Sequence, residues 1–322
     1  MTRLSEGRKM FVSVMVVFAI YALIFIVFED YDRTHLEPFE EVSDWHLLLF
    51  SFAVMVGLGV LLHRYARRMD DRISREQAAK ETQMRRELTQ NIAHELKTPV
   101  ASILGYTDTI LDNPQMSSET QRQFIARTNV QAQRLTALLQ DISTLNRMDF
   151  ASSAFAQSSG QNPFGRDAVI TMERTDVSVI VSDIVEETAI ALGKRRMTLN
   201  NCLPQGIVIK GNPSLIYSIF RNLVDNAINY AGEGTTIDIS AEQTGKYWTF
   251  HFSDNGVGIA PEHLPRIFER FYRIDKSRSR RIGGTGLGLA IVKNAVLLHG
   301  GKITARESVK GGLAFEFTLT SG

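Results

Sequence analysis

Cysteine is almost absent: Cys202 is the only one among 322 residues. That excludes a disulfide framework and any metal site built on cysteine ligands. An excess of one charge is missing too, since 36 lysines and arginines face 35 aspartates and glutamates. So nearly neutral a chain carries no broad basic field, and no nucleic-acid partner is expected. Neither the Walker A phosphate loop nor the dinucleotide fingerprint occurs, and there is no internal repeat. Proline and glycine are missing from residues 63–90, which leaves that stretch without a helix breaker.

Charge is missing altogether from residues 10–28, MFVSVMVVFAIYALIFIVF. As a helix they would rise about 28 Å, close to the ~30 Å hydrocarbon core of a bilayer. A second apolar run, 45–62, WHLLLFSFAVMVGLGVLL, is marred only by His46 near its edge. Two such runs predict two transmembrane helices rather than two buried core helices. The acidic FEDYD after the first run, with no small-residue cleavage site, speaks against a cleaved signal peptide. Arg3, Arg8 and Lys9 precede the first run, and Arg64, Arg67, Arg68 and Arg72 follow the second. The segment between them, 29–44, holds Glu29, Asp30, Asp32, Glu37, Glu40, Glu41 and Asp44 but only Arg33 as a base. The positive-inside rule then places residues 1–9 and everything after 62 in the cytoplasm, with 29–44 as a short external loop. A loop of that size leaves no room for a folded sensor domain.

Residues 63–84 read as a helix leading away from the second run, with a thin apolar stripe at Met69, Ile73, Met84, Leu88 and Ile92. The helical pattern continues through NIAHELKTPVASILGYTDTIL, where Leu96, Ile103 and Ile110 recur every seven residues. Proline inside a helix costs about 3 kcal/mol, so Pro99, beside His94, marks a predicted bend. After DNPQMSSET a second helix is predicted over about 117–148, with Leu135, Leu138, Ile142 and Leu145 spaced three and four apart. One hairpin cannot bury both stripes, and two hairpins make a four-helix bundle. A homodimer over 85–150 is therefore expected. Residues 151–166 are small, polar and unpatterned, a linker. From 167 to 322 strand and helix patterns alternate: strands near 168–173, 197–202 and 207–210, helices over 177–192 and 212–231, then a meander. A further helix begins near Gly286 and stops at Gly300–Gly301, and two final strands close the chain. This order predicts an α+β sandwich.

Three stretches of this last domain carry chemistry. The helix 212–231 has a buried stripe at Ile216, Ile219, Leu223 and Ala227, and a polar stripe at Asn222, Asn226 and Asn229. Amide oxygens suit Mg²⁺, which favours oxygen ligands and keeps several waters. Asp254-Asn255-Gly256-Val257-Gly258 follows an alternating strand. Its aspartate can accept from an exocyclic amine such as adenine's, and its glycines let a flat ring approach the backbone. Gly283 to Lys293, GGTGLGLAIVK, places glycines before a helix start, where backbone N–H groups and the helix dipole face an anion. Between these lie Phe268, Phe271 and Tyr272, then Arg273, Lys276, Arg278, Arg280 and Arg281, an aromatic-anchored basic lid.

The ordered set His94-Glu95-Leu96-Lys97-Thr98-Pro99, Asn222 to Asn226, Asp254 to Gly258, Phe268 to Phe271 and Gly284-Thr285-Gly286-Leu287-Gly288 resembles the sensor histidine kinases of bacterial two-component systems. The motifs look like the H, N, G1, F and G2 boxes in family order, and the resemblance covers roughly residues 75–320. It implies a dimeric histidine-phosphotransfer hairpin followed by a GHKL-type ATP-binding domain, ATP and Mg²⁺ as cofactors, and a cytoplasmic response regulator as partner. It implies a multi-pass protein of the bacterial inner membrane. His94 would be the nucleophile toward the γ-phosphate, Glu95 the acid/base group that polarises its imidazole, and Thr98 the residue that orients water for dephosphorylating the partner. Asn226, helped by Asn222, would bind Mg²⁺, and Tyr230 would line the nucleotide site. Asp254 would read the adenine amine, with Gly256 and Gly258 beside it. Arg273 would meet the γ-phosphate, and Gly284, Gly286, Leu287 and Gly288 would form the phosphate loop. The family commonly has lysine where this chain has Asn229, and Arg221 or the lid bases are the candidates to replace that charge. About 31 residues separate the second apolar run from His94, too few for the HAMP module common in the family. The other readings open to these motifs are a GHKL-type ATPase that does not use His94 and a signalling scaffold without catalysis.

Overall fold

A computed structural model describes residues 45–156, 170–275 and 284–321. The apolar run 10–28, the loop 29–44 and the lid bases Lys276, Arg278, Arg280 and Arg281 lie outside the described residues. The chain divides into two units, Met1–Arg86 and Glu87–Gly322. The described part of the first is helical, the beginning of helix α1, Trp45–Leu111. Among the described residues no helix is long and apolar enough to cross a membrane. The second apolar run, 45–62, forms the first part of α1. Nothing is described of the side chains of residues 45–50.

In the second unit, residues 87–111 of α1 and helix α2, Ser118–Ala156, form the expected hairpin. Asn113 Nδ2 donates to the Thr109 carbonyl at 2.8 Å where α1 ends, and Ser117 Oγ accepts from the Thr120 N–H at 3.2 Å where α2 begins. Pro99 is buried within α1, and the helix runs on through it to Leu111. A proline removes one N–H donor, here the partner of the Glu95 carbonyl, and leaves the other helical bonds in place. Hydroxyls back-bond around that gap: Thr98 Oγ1 to the His94 carbonyl at 3.3 Å and Ser102 Oγ to the Thr98 carbonyl at 3.0 Å.

The remainder is an α+β sandwich. Strands β1 (Glu173–Asp176) and β3 (Val208–Gly211) form an antiparallel pair. Strands β2 (Thr198–Cys202), β4 (Thr236–Thr244), β5 (Tyr247–Asp254), β6 (Ile303–Glu307) and β7 (Leu313–Thr320) make a five-stranded sheet in the order β2-β4-β5-β7-β6. Only the β2–β4 pair is parallel. The first strand starts at Glu173, where one was expected near 168–173. Helices α3 (Val177–Lys194), α4 (Pro213–Tyr230) and α5 (Gly288–Leu298) complete the domain, with α4 packed on both α3 and α5.

Alternation builds the core. Every second residue of β7, Leu313, Phe315, Phe317 and Leu319, is buried. On β5 the same face holds Phe250, Phe252 and Asp254. Phe220 of α4 meets Phe250 edge-on at 5.4 Å, and Phe250 stacks on Phe317 at 5.2 Å. Asp254 is thus the polar end of an apolar row, and the period of two aims it at the helical layer. Helix α4 buries Leu215, Ile216, Ile219, Phe220, Leu223, Val224, Ala227 and Ile228. Its asparagines are left half-buried along one side. Asn212 caps α4 through Oδ1, which accepts from the Leu215 N–H at 3.0 Å. Its own N–H donates to His299 Nε2 at 3.0 Å, which ties the start of α4 to the end of α5.

Candidate nucleotide-binding site

A cavity of about 340 Å³ opens between α4, the end of β5 and the glycine-rich start of α5. That is at the lower end of the range typical of small-molecule sites. Asn222, Asn226, Tyr230, Asp254, Gly258, Arg273, Gly284, Gly286 and Gly288 all line it. Gly256 and Leu287 act from behind the wall. A Cβ on Gly256 would fall well inside contact distance of the Ala231 carbonyl oxygen, so only glycine lets this loop lie on the end of α4. Leu287 is buried, and its N–H donates to Thr285 Oγ1 at 3.2 Å.

Asp254 is held by one oxygen. Its Oδ1 accepts from the Gly256 N–H at 2.9 Å and from the Leu313 N–H at 3.3 Å, which leaves Oδ2 for a donor in the cavity. Burial raises its pKa, partly offset by those two N–H groups. Apolar Ala231, Ile259, Ile267 and Leu313 line the same cavity and suit the faces of a planar ring. Sequence reasoning missed Ile259, Ile267 and Leu313, which pattern as ordinary apolar residues and become walls only through long-range packing. At the other end Gly286 has φ +72, and a Cβ there would crowd Phe271 Cα at 3.0 Å. Phe271 itself is left-handed, with φ 62, and its N–H donates to the Gly286 carbonyl at 2.8 Å. That bond fixes the chain just before Tyr272 and Arg273. Tyr272 is held in turn by His263 Nδ1 at 2.8 Å and by Arg266 over its ring at 4.4 Å.

The residues present fit a nucleotide with Mg²⁺. Arg273 Nε is buried without a partner, an orphan donor suited to an anion. Asn222, Asp225, Asn226 and Asn229 put oxygen donors along one wall. Two of them are already engaged: Asn222 Nδ2 donates to the Ser218 carbonyl at 2.7 Å, and Asp225 accepts from Arg221 Nε at 2.9 Å. Arg221 does not replace the charge missing at Asn229. Its guanidinium goes to Glu187 and Asp225, each at 2.9 Å, and it lies outside the cavity lining.

The hairpin residues His94, Glu95 and Thr98 do not line the cavity. His94 and Thr98 are exposed. Glu95, the next residue in α1, is half-buried. Its Oε2 accepts from Arg273 Nη2 at 3.0 Å, with Arg134 at 3.9 Å. Two more polar contacts join the hairpin to this domain: Thr285 Oγ1 to Asp141 at 2.8 Å and Arg270 Nη2 to Asp149 at 2.6 Å. Burial pushes the Asp141 pKa up, and the Thr285 hydrogen bond opposes that.

Two families match the chain. Residues 84–150 match the His Kinase A (phospho-acceptor) domain, and residues 211–322 match the histidine kinase-, DNA gyrase B-, and HSP90-like ATPase family. Among curated relatives, the sensor-like histidine kinase SenX3 of Mycobacterium tuberculosis is 34% identical over 235 residues, 73% of this chain and 53% of that protein. The phosphate regulon sensor protein PhoR of Haemophilus influenzae is 32% identical over 235 residues, 73% of this chain and 51% of that protein. The chain thus spans about half the length of these relatives. Among solved structures, the Acinetobacter baumannii histidine kinase AdeS shares the fold with TM-score 0.53 and 24% identity, over 71% of this chain and 97% of that one. Histidine kinase ThkA, solved in complex with response regulator protein TrrA, shares it with TM-score 0.55 and 19% identity, over 73% of this chain and 61% of that one.

Proposed function

The chain belongs to the sensor histidine kinases of bacterial two-component systems, and we propose that it is an ATP-dependent protein-histidine kinase that phosphorylates its own His94. The observation that carries this reading is the bond between Glu95, the neighbour of His94, and Arg273 in the nucleotide cavity, 3.0 Å long. It joins the phosphoacceptor turn to the site that would hold the phosphoryl donor.

When bound, ATP supplies the phosphoryl group, and Mg²⁺ screens its charge. The chain supplies positions and counter-charges. Asp254 accepts from the adenine amine with its free oxygen, and Tyr230 lines the ring. Asn226, with Asn222, offers amide oxygen to the metal. Arg273 and the Gly284–Gly286–Gly288 loop face the phosphates. His94 forms the new P–N bond with a ring nitrogen as the P–O bond to the departing diphosphate breaks. Glu95 receives the ring proton only after it has left Arg273, because a carboxylate held by a guanidinium is a poor base. The phosphoryl group then passes to an aspartate of a response regulator. Thr98, one helical turn from His94, orients water for the reverse, dephosphorylating reaction. Exposed apolar side chains on the hairpin support a homodimer, the form in which a four-helix bundle is completed. The apolar runs 10–28 and 45–62, with arginines after the second, support a bacterial inner-membrane protein with both termini in the cytoplasm.

The full chain in detergent, incubated with ATP labelled at the γ-phosphate, is expected to acquire an acid-labile, alkali-stable label that disappears in His94→Gln. Label persisting in that variant overturns the assignment. Multiple-turnover hydrolysis that ignores His94 would make the protein an ATPase of the same fold, and failure to bind ATP by calorimetry would make it a scaffold.

A further inference from the structure

Two carboxylates of the hairpin sit on the two groups at the phosphate end of the cavity. Glu95, from α1, engages the Arg273 guanidinium, whose side chain is only 6% exposed. Asp141, from α2, engages Thr285 Oγ1. Arg273 and Thr285 both line the cavity. Thr285 lies in the glycine loop that opens α5, where first-turn N–H groups and the helix dipole favour a negative charge. A carboxylate here takes the donors that a terminal phosphate would take, and it carries the same sign of charge. Arg273 Nε stays buried without a partner, a donor that a diphosphate can take while Glu95 keeps Nη2. Asp149 and Arg270, outside the cavity lining, hold the hairpin in place without occupying a phosphate group.

Resting on the reading of the cavity as a nucleotide site, we propose that Asp141 is a specificity-determining residue that biases this pocket against the nucleoside triphosphate and toward the diphosphate. A third phosphate meets Asp141 and Glu95 at like charge and must displace them from Thr285 and Arg273. A diphosphate ends short of that point and leaves both contacts intact. The coupling is reciprocal: triphosphate weakens hairpin docking by the factor by which docking weakens triphosphate. The same interface therefore holds firm while diphosphate occupies the pocket and loosens when triphosphate replaces it, which frees Glu95.

The test measures binding of a non-hydrolysable ATP analogue and of ADP, each with Mg²⁺, to the full chain by calorimetry. Asp141→Asn removes the charge but can still accept from Thr285. It is expected to tighten the triphosphate at least about fivefold, with ADP changing less than about twofold, in line with the lower end of typical coupling between sites. Asp141→Ser, a smaller neutral replacement, is expected to shift the ratio in the same direction, and Asp141→Glu to keep the wild-type ratio. Equal shifts for both nucleotides, or none, overturn the proposal while leaving the nucleotide site standing. No binding of either nucleotide by wild type or variants overturns the nucleotide reading and this proposal with it.

Discussion

The hairpin and the nucleotide-binding domain carry apolar stripes of similar richness and treat them in opposite ways. In the domain, Phe220, Phe250 and Phe317 are fully buried against one another. In the hairpin, Leu96, Ile103 and Ile110 are half-buried, but other apolar side chains are exposed: Val100, Leu104 and Leu111 on α1, with Ile125, Val130 and Leu139 on α2. Leu104 is 55% and Leu111 75% exposed. One region is complete within a single chain, and the other presents a surface of the kind that marks a protein–protein interface.

That contrast breaks most sharply under truncation. Phe250→Ala is expected to cost about 3–5 kcal/mol by opening a cavity between rings that now touch, read as a large fall in the denaturation midpoint. Leu104→Ser removes a side chain that contacts mainly solvent, so the single chain should lose about 0.5 kcal/mol or less, while sedimentation shows a weaker dimer. A Leu104→Ser variant that unfolds as readily as Phe250→Ala would erase the distinction.

Glycines sharpen the same comparison at a smaller scale. Gly256→Ala pushes a Cβ into the Ala231 carbonyl and forces the Asp254 loop off α4. Overpacking of this kind costs about 1–3 kcal/mol, and an equal loss of binding energy weakens ATP about fivefold to about 150-fold. Gly105 sits within α1, where an added Cβ would meet nothing within 4 Å. Gly105→Ala is expected to stabilise the helix by up to about 1 kcal/mol, the glycine–alanine difference in propensity. Thermal melts of the two variants should move in opposite directions.

Local pattern made much of this architecture readable, and long-range pairing explains the rest. The period-two run of β7 and the three-and-four spacing of α4 each state which face is buried, so the sheet and its covering helix could be read from the residues. Asn226 stood out because asparagine is a mediocre helix former, and Asp254 and Gly286 because each sits in a glycine-rich stretch beside a strand or a helix start. Glu95 was legible as chemistry but not as geometry. Nothing in HELKTP reveals that Arg273, 178 residues away, will take its carboxylate. Asp141 and Asp149 were invisible for the same reason, since each is one more acid on a polar helix face until the other domain arrives. Pro99 was legible as a helix-interior proline: the pattern continues on both sides of it, and the helix runs through it to Leu111.

The smallest effect separates the two regions by pH. His299 is buried, and its two contacts fix the tautomer: Nδ1 must donate to the Ala295 carbonyl at 2.6 Å, and Nε2 must accept from the Asn212 N–H at 3.0 Å. A second ring proton would set donor against donor at Asn212. Burial lowers the His299 pKa, and the bond to Ala295 only partly opposes this. The unfolded chain takes up that proton near the ordinary value of about 6.5, and the folded chain does so only at lower pH. Its contribution to stability is therefore full above about pH 6.5 and declines as pH falls from there to the depressed folded value, by at most about 1.4 kcal/mol per pH unit. The loss should fall on the nucleotide-binding domain, where His299 ties α5 to the cap of α4. In a Trp45→Phe background, Trp248 on β5 reports that domain by fluorescence, while ellipticity follows the helices. His299→Gln is expected to flatten the acid slope of the Trp248 unfolding midpoint and to lower the midpoint at pH 7.5, as the half-buried Asn212 N–H loses its imidazole acceptor. A slope unchanged in His299→Gln would assign the acid sensitivity to other groups.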